Sequence, residues 1–167
     1  MASRKLAIGL AAAALLFVGW YLFRPDRAFI NRTVSEAPPV PAGLSAVAGS
    51  VVLAGQFQPR THKGQGTAQV LDLGGGRRVV RFSNFSTLDG PDLQVYLLTS
   101  AMVANGAELR QSGFVSLGAL KGNRGDQNYE IPQGTDLERY KAVAVWCRRF
   151  AVNFTSATLA PVPATGS

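Results

Sequence analysis

Two kinds of apolar pattern divide the chain. Residues 6–23, LAIGLAAAALLFVGWYLF, run for eighteen positions without a charge. From residue 49 onward, apolar residues come instead in short runs broken by Gly, Pro, Asp and Asn. As a helix the first run is about 27 Å long, close to the hydrocarbon thickness of a bilayer. Arg4 and Lys5 precede it, Arg24 and Arg27 follow, and Trp20 and Tyr21 sit at its end, where amphipathic rings favour a lipid–water boundary. The far end lacks the small-residue cleavage pattern of a signal peptide, and no cysteine follows to take a lipid. The expectation is an uncleaved signal-anchor helix over about residues 6–23, with the body outside the cytoplasmic membrane on a single-pass tether.

The second pattern predicts strands. Residues 49–57 (GSVVLAGQF), 67–73 (TAQVLDL), 77–85 (RRVVRFSNF), 93–99 (LQVYLLT), 112–120 (SGFVSLGAL), a strand through YEIP, 141–147 (KAVAVWC) and 150–159 (FAVNFTSATL) each fit a pleated segment. Gly74, Gly75 and Gly76 supply a turn between the second and third, and Asp89-Gly90-Pro91 another before residue 93. Lys121 to Tyr129 reads as a loop, and Thr135 to Tyr140 as one helical turn with Thr135 capping and Glu138 three residues on. The reading is all-β: an antiparallel β-sandwich or barrel of about eight short strands, preceded by the N-terminal transmembrane helix. The boundaries are an anchor at 1–23, a Pro-rich linker at 24–43, a β domain at 44–160 and a flexible tail at 161–167. Arg148 and Arg149 fall between the last two strands without Gly, Asn or Pro. They predict a bent continuous strand or a bulge rather than a two-residue hairpin.

Charge changes this picture little. The formal net charge is +7, but five basic residues lie in the first 43 positions and the rest are dispersed. No basic block interleaves with aromatics, so nucleic acid is not an expected partner. The expected partners are the membrane, through the helix, and a redox protein.

Elimination narrows the chemistry. The chain has one cysteine, Cys147, and one histidine, His62. Structural zinc, cysteine-bound iron–sulfur clusters and blue copper all need more ligands than one chain supplies. Covalent haem needs C-x-x-C-H, which is absent, as are the phosphate-binding loop and the G-x-S-x-G elbow. A free thiol, a non-covalent haem held by Cys147 or His62, and a Cys147–His62 dyad survive. Against these stand plainer readings. Cys147 shares a strand face with Val143 and Val145 and fills space there, with Trp146 on the opposite face. His62 is a loop histidine. Arg148 and Arg149 form a solvated edge, or else lower the thiol pKa or pair with haem propionates. Asn31, Asn84 and Asn153 head weak glycan acceptor tripeptides.

Four ordered segments carry a resemblance. G-x-F-x-x-x-x-H (from Gly55), N-F-x-x-x-x-G-P-D-L-x-V-Y-L (from Asn84), L-K-G-N-x-G-x-Q-N-Y-x-I-P (from Leu120) and W-C-x-x-F-x-V-x-F (from Trp146) together resemble the DM13 domain over residues 55–159. The resemblance implies an extracytoplasmic all-β electron-transfer module whose one cysteine acts as a bare thiol or holds a prosthetic group such as haem. It places that cysteine at Cys147 and the family's histidine at His62. The expected function is therefore a membrane-anchored redox module using Cys147 and His62, with Arg148 and Arg149 beside any haem. The competing reading is a binding or adhesion domain in which Cys147 is core.

Overall fold

A computed structural model of the chain describes residues 2–23, 31–39 and 50–163. The remainder of the expected linker (24–30 and 40–43) and the end of the tail (164–167) lie outside the described residues. The elements are α1 (Ala2–Phe23), β1 (Thr33–Ser35), β2 (Ser50–Pro59), β3 (Gly64–Asp72), β4 (Arg78–Thr87), β5 (Leu93–Leu98), α2 (Gly106–Ser112), β6 (Phe114–Ala119), β7 (Arg124–Ile131), β8 (Ala142–Cys147), β9 (Val152–Thr158) and β10 (Ala160–Pro161). The apolar run does form one continuous helix, and Leu15, Leu16 and Phe17 on it are exposed. Among the described residues no helix is long and apolar enough to cross a membrane. The side chains at residues 6–8, 22 and 23, at the two ends of the run, are outside that description.

The body is mostly β: one curled mixed sheet of ten strands in the order β1-β7-β4-β3-β2-β9-β8-β5-β6, with β10 on β2. The curl arises at β2. Its first part pairs with β3, whereas Phe57, Gln58 and Pro59 pair with β9. One strand thus passes from one half of the sheet to the other. The two halves face each other across a common core that holds Phe57, Phe82, Phe85 and Tyr129 from one side and Val95, Val143, Val145 and Cys147 from the other. Phe57 meets Phe82 edge to face at 4.8 Å, the arrangement that ring quadrupoles favour.

All eight expected strands are present, and two features correct the antiparallel reading. Among the described residues the count is ten, and β1 pairs with β7 in parallel. β1 arises inside the stretch read as linker, and β10 begins the stretch read as tail. The expected loop after Lys121 is short, because β7 already starts at Arg124. The turn at residues 137–139 is a 3-10 turn capped by Asp136, not by Thr135. The Thr135 hydroxyl instead donates to the Pro132 carbonyl at 2.7 Å. Residues 148–151 make a four-residue turn between β8 and β9, with Ala151 at φ 52°. No continuous strand runs through the arginines, and the register shift of this pair lies between Val145 and Trp146.

β8 is buried on both faces. Val143, Val145 and Cys147 point into the common core. Ala142, Ala144 and Trp146 point outward into a second cluster with Tyr96, Leu98, Val103 and Leu109. That outer cluster is covered by α2, whose Asn105 cap accepts from the amides of Ala107 and Glu108.

Candidate functional site

The antiparallel ladder gathers the chemistry at one end of the curled sheet. β2 ends at Pro59, β4 at Thr87, β6 at Ala119 and β8 at Cys147, while β5, β7 and β9 begin there. His62, the Gly90-Pro91-Asp92 turn, the Lys121-Gly122-Asn123 turn and the Arg148–Arg149 turn therefore share that end. The connection from β6 to β7 joins strands from opposite ends of the sheet order. Its Leu120 amide donates to the Leu93 carbonyl at 2.9 Å. The buried Asn123 donates to the Thr87 carbonyl and accepts from the Arg32 amide.

Cys147 is 0 % exposed. Leu93 stands opposite it on β5 and Val152 on β9. Its burial matches the parity of the strand, and Trp146 occupies the opposite face as that parity requires.

His62 is half-buried. Its amide donates to the Phe154 carbonyl at 3.0 Å and its ring lies on the Phe154 ring, centroids 4.0 Å apart. Phe154 belongs to the same core cluster as Cys147. The fold thus brings thiol and imidazole to one end, with an aromatic ring against the imidazole. No hydrogen bond joins His62 to Cys147 among the described residues.

Arg148 is exposed and held from the side. Its Nε donates to the Asp92 carboxylate at 2.8 Å and its amide to the Asp92 carbonyl at 3.0 Å. Gln94 donates to the same carboxylate. Burial pushes the Asp92 carboxyl up. The hydrogen bonds from Arg148 and Gln94, with the charges of Arg148 and Arg149, outweigh this and hold it below its ordinary value. The Arg148 guanidinium, raised in turn by that hydrogen bond, is directed to a carboxylate rather than to the sulfur. Asp92 is the residue that sequence reasoning missed. It read only as part of a turn, although its place in G-P-D-L was visible.

A haem needs an axial ligand facing an open slot. The sulfur here is sealed in a packed core. The adjoining cleft of about 410 Å³ is lined by Asp92, Leu93, Leu120, Lys121 and others, not by Cys147. The residues present do not fit a haem held by Cys147, and Arg148 has a protein carboxylate in place of a propionate. Among the described residues no cluster of His, Cys, Asp and Glu could hold a metal ion.

The motif residues around this end do structural work. Gln127 is fully buried; its Oε1 accepts from the Gly122 amide and the Tyr129 hydroxyl, and its Nε2 donates to the Gly122 carbonyl. The Tyr129 hydroxyl in turn accepts from the Lys121 amide. Burial pushes this phenol far up. Asn153 is fully buried as well and donates to the Val103 carbonyl, so it offers no folded glycan site.

Among curated proteins none matches the sequence. A variant of Candida albicans superoxide dismutase 5 is similar in structure at 10 % identity, covering 71 % of this chain and 96 % of that one with a TM-score of 0.44. Residues 56–159 match the family described as electron transfer DM13. With that match spanning more than half of its length, and with His62, Asp92, Gly122 and Cys147 of the four segments meeting at one end of one sheet, the chain belongs to the DM13 family of electron-transfer domains.

Proposed function

We propose that this domain passes single electrons between partner proteins at a membrane surface, with Cys147 as its redox site. The family match over residues 56–159 carries the reading. Burial narrows the kind of chemistry. Thiol–disulfide exchange needs a thiolate to reach a sulfur of another molecule, which a sulfur with 0 % exposure does not do. Electron transfer needs no such approach. In the proposed step the thiol loses one electron to a strongly oxidising, metal-centred protein partner. Its proton reaches His62, the half-buried imidazole at the same end of the fold, through water admitted when the 148–151 turn opens. Arg148 and Arg149 belong to the rim that faces the partner. α1 anchors the module in the membrane and the β domain stands on the extracytoplasmic side. The uncharged run of residues 6–23 and its aromatic end support this placement.

The test is a mediated redox titration of the full chain in detergent, with wild type and Cys147→Ser in parallel. A one-electron response present in the first and absent from a folded second supports the reading; equal responses, or none, overturn it. Membrane attachment is tested separately, by resistance of the full chain to alkaline extraction from membranes.

One observation favours a second reading, a binding module. Cys147 has the burial and neighbours of a core residue. On that reading the folded fraction of Cys147→Ser keeps every interaction of the wild type and no redox response exists to lose.

A further inference from the structure

The outer face of β8 and β5 carries a stack of rings that leads from beside Cys147 to the surface. Trp146 is 2 % exposed, Tyr96 5 % and Phe114 42 %. The Trp146 and Tyr96 rings lie 6.4 Å apart between centroids with planes 23° from parallel. Tyr96 and Phe114 lie 4.5 Å apart at 29°. Strand pairing fixes the order. Gln94 stands opposite Trp146 and Tyr96 opposite Ala144 on β8, while Ser116 of β6 stands opposite Tyr96. Leu98, Val103 and Leu109 pack around the stack, the last of them supplied by α2. β6 is the last strand of the sheet order, and Phe114 at its start is the exposed end of the stack.

Trp and Tyr are the two aromatic side chains most readily oxidised, and here they are stacked in line toward the exposed Phe114. The covalent chain supplies the inner end, because Trp146 directly precedes Cys147.

We infer that Trp146 and Tyr96 form an electron relay between Cys147 and a partner docked over Phe114. This rests on the redox reading of Cys147 given above. Tyr96 gives one electron to a strongly oxidising one-electron metal centre of the partner, which is reduced by one, and its phenolic proton goes to water. Trp146 refills Tyr96 with one electron, and the phenol regains a proton. The Cys147 thiol refills Trp146 with one electron, and its proton leaves to His62 through water admitted when the 148–151 turn opens. The net change is one electron and one proton from the thiol, with both rings restored. Phe114, harder to oxidise, shields Tyr96 and sets the docking distance.

The experiment is flash photo-oxidation of the full chain in detergent by tris(bipyridine)ruthenium with persulfate as sacrificial acceptor. Trp20, exposed on α1, is first replaced by Phe so that Trp146 is the only indole. Transient absorption and freeze-quench electron paramagnetic resonance follow the tyrosyl and tryptophanyl radicals, and alkylation after unfolding counts remaining thiol. Tyr96→Phe keeps the ring stack and removes only the hydroxyl. It should slow arrival of the hole at Trp146 on the order of tenfold, while Tyr140→Phe leaves the rate unchanged. In Cys147→Ala the Trp146 radical should outlive that of its parent. An unchanged rate in Tyr96→Phe overturns the relay. If thiol is lost equally fast in Tyr96→Phe, the redox role of Cys147 stands and the relay falls. If both radicals form in sequence but no thiol is ever lost, the relay stands as a conductor and the Cys147 reading falls.

Discussion

Arg148 is bound to Asp92 twice, through its side chain at 2.8 Å and its backbone amide at 3.0 Å. The pair ties the turn after Cys147 to the start of β5, directly beside the sealed sulfur. Asp92→Asn keeps the shape and the backbone bond but removes the charge. The turn should then open more often, and the thiol should react severalfold faster with an alkylating reagent under native conditions. The pH dependence follows from the direction of the shift. A carboxyl held below its ordinary value in the fold adds stability that is complete above the ordinary range and lost as pH falls through the depressed value. Between about pH 5 and about pH 3 the melting temperature of wild type should fall more steeply than that of Asp92→Asn. Parallel curves would show that the pair does not couple to folding.

Cys147 itself separates burial from chemistry. A hydroxyl in its place has no partner within an apolar core. Cys147→Ser should therefore lose about 1–3 kcal/mol of unfolding free energy. Cys147→Ala, which only leaves a small void, should lose about 1 kcal/mol. Denaturant melts of the two variants test the order. A serine variant as stable as the alanine one would mean that the sulfur touches a polar group or water.

Local pattern and pairing across the chain account for different parts of this structure. The eight strands were legible because Val, Leu and Phe alternate between turn residues, and the parity of KAVAVWC put Cys147 inside and Trp146 opposite. β1 was not legible. T-V-S has no apolar period, and the strand exists only because β7 leaves room beside it. α2 is seven residues long, too short for a helical period to show. The Asp92–Arg148 pair joins residues 56 positions apart, and nothing local encodes it, so the arginines read as neighbours of the thiol. The Trp146–Tyr96–Phe114 stack was hidden for the same reason: it needs three strands in register.

Gln127 tests whether a family segment serves the fold. Its amide satisfies the Gly122 amide, the Gly122 carbonyl and the Tyr129 hydroxyl in a site without exposure. Gln127→Leu has a similar volume but leaves those groups without their partner. The expected loss is about 2–4 kcal/mol in a denaturant melt. Tyr129→Phe removes one hydroxyl and its two bonds and should lose about 1 kcal/mol. If Gln127→Leu were neutral, water would have to enter and replace the amide.

The segment before the body is docked against two glycines, Gly122 and Gly125. Gly125 sits at φ +95°, and a Cβ there would collide with the Val34 carbonyl oxygen. Gly125→Ala must therefore push β1 off β7. Beyond its ladder, this segment is held by polar groups. The Glu36 carboxylate accepts from Lys121 Nζ and from the Asn128 amide. Burial acts to raise it, but those bonds and the nearby cations hold it below its ordinary value. The Arg81 guanidinium, paired with Asp126, also donates to the Glu36 carbonyl. With β1 released, trypsin should cut after Arg32 about tenfold faster for each ~1.4 kcal/mol of pairing removed. The β body should keep its own denaturant transition, since β1 contributes no residue to the main core. Unchanged cleavage after Arg32 would mean that the backbone yields without releasing the strand, and that β1 is held by Glu36 rather than by its ladder.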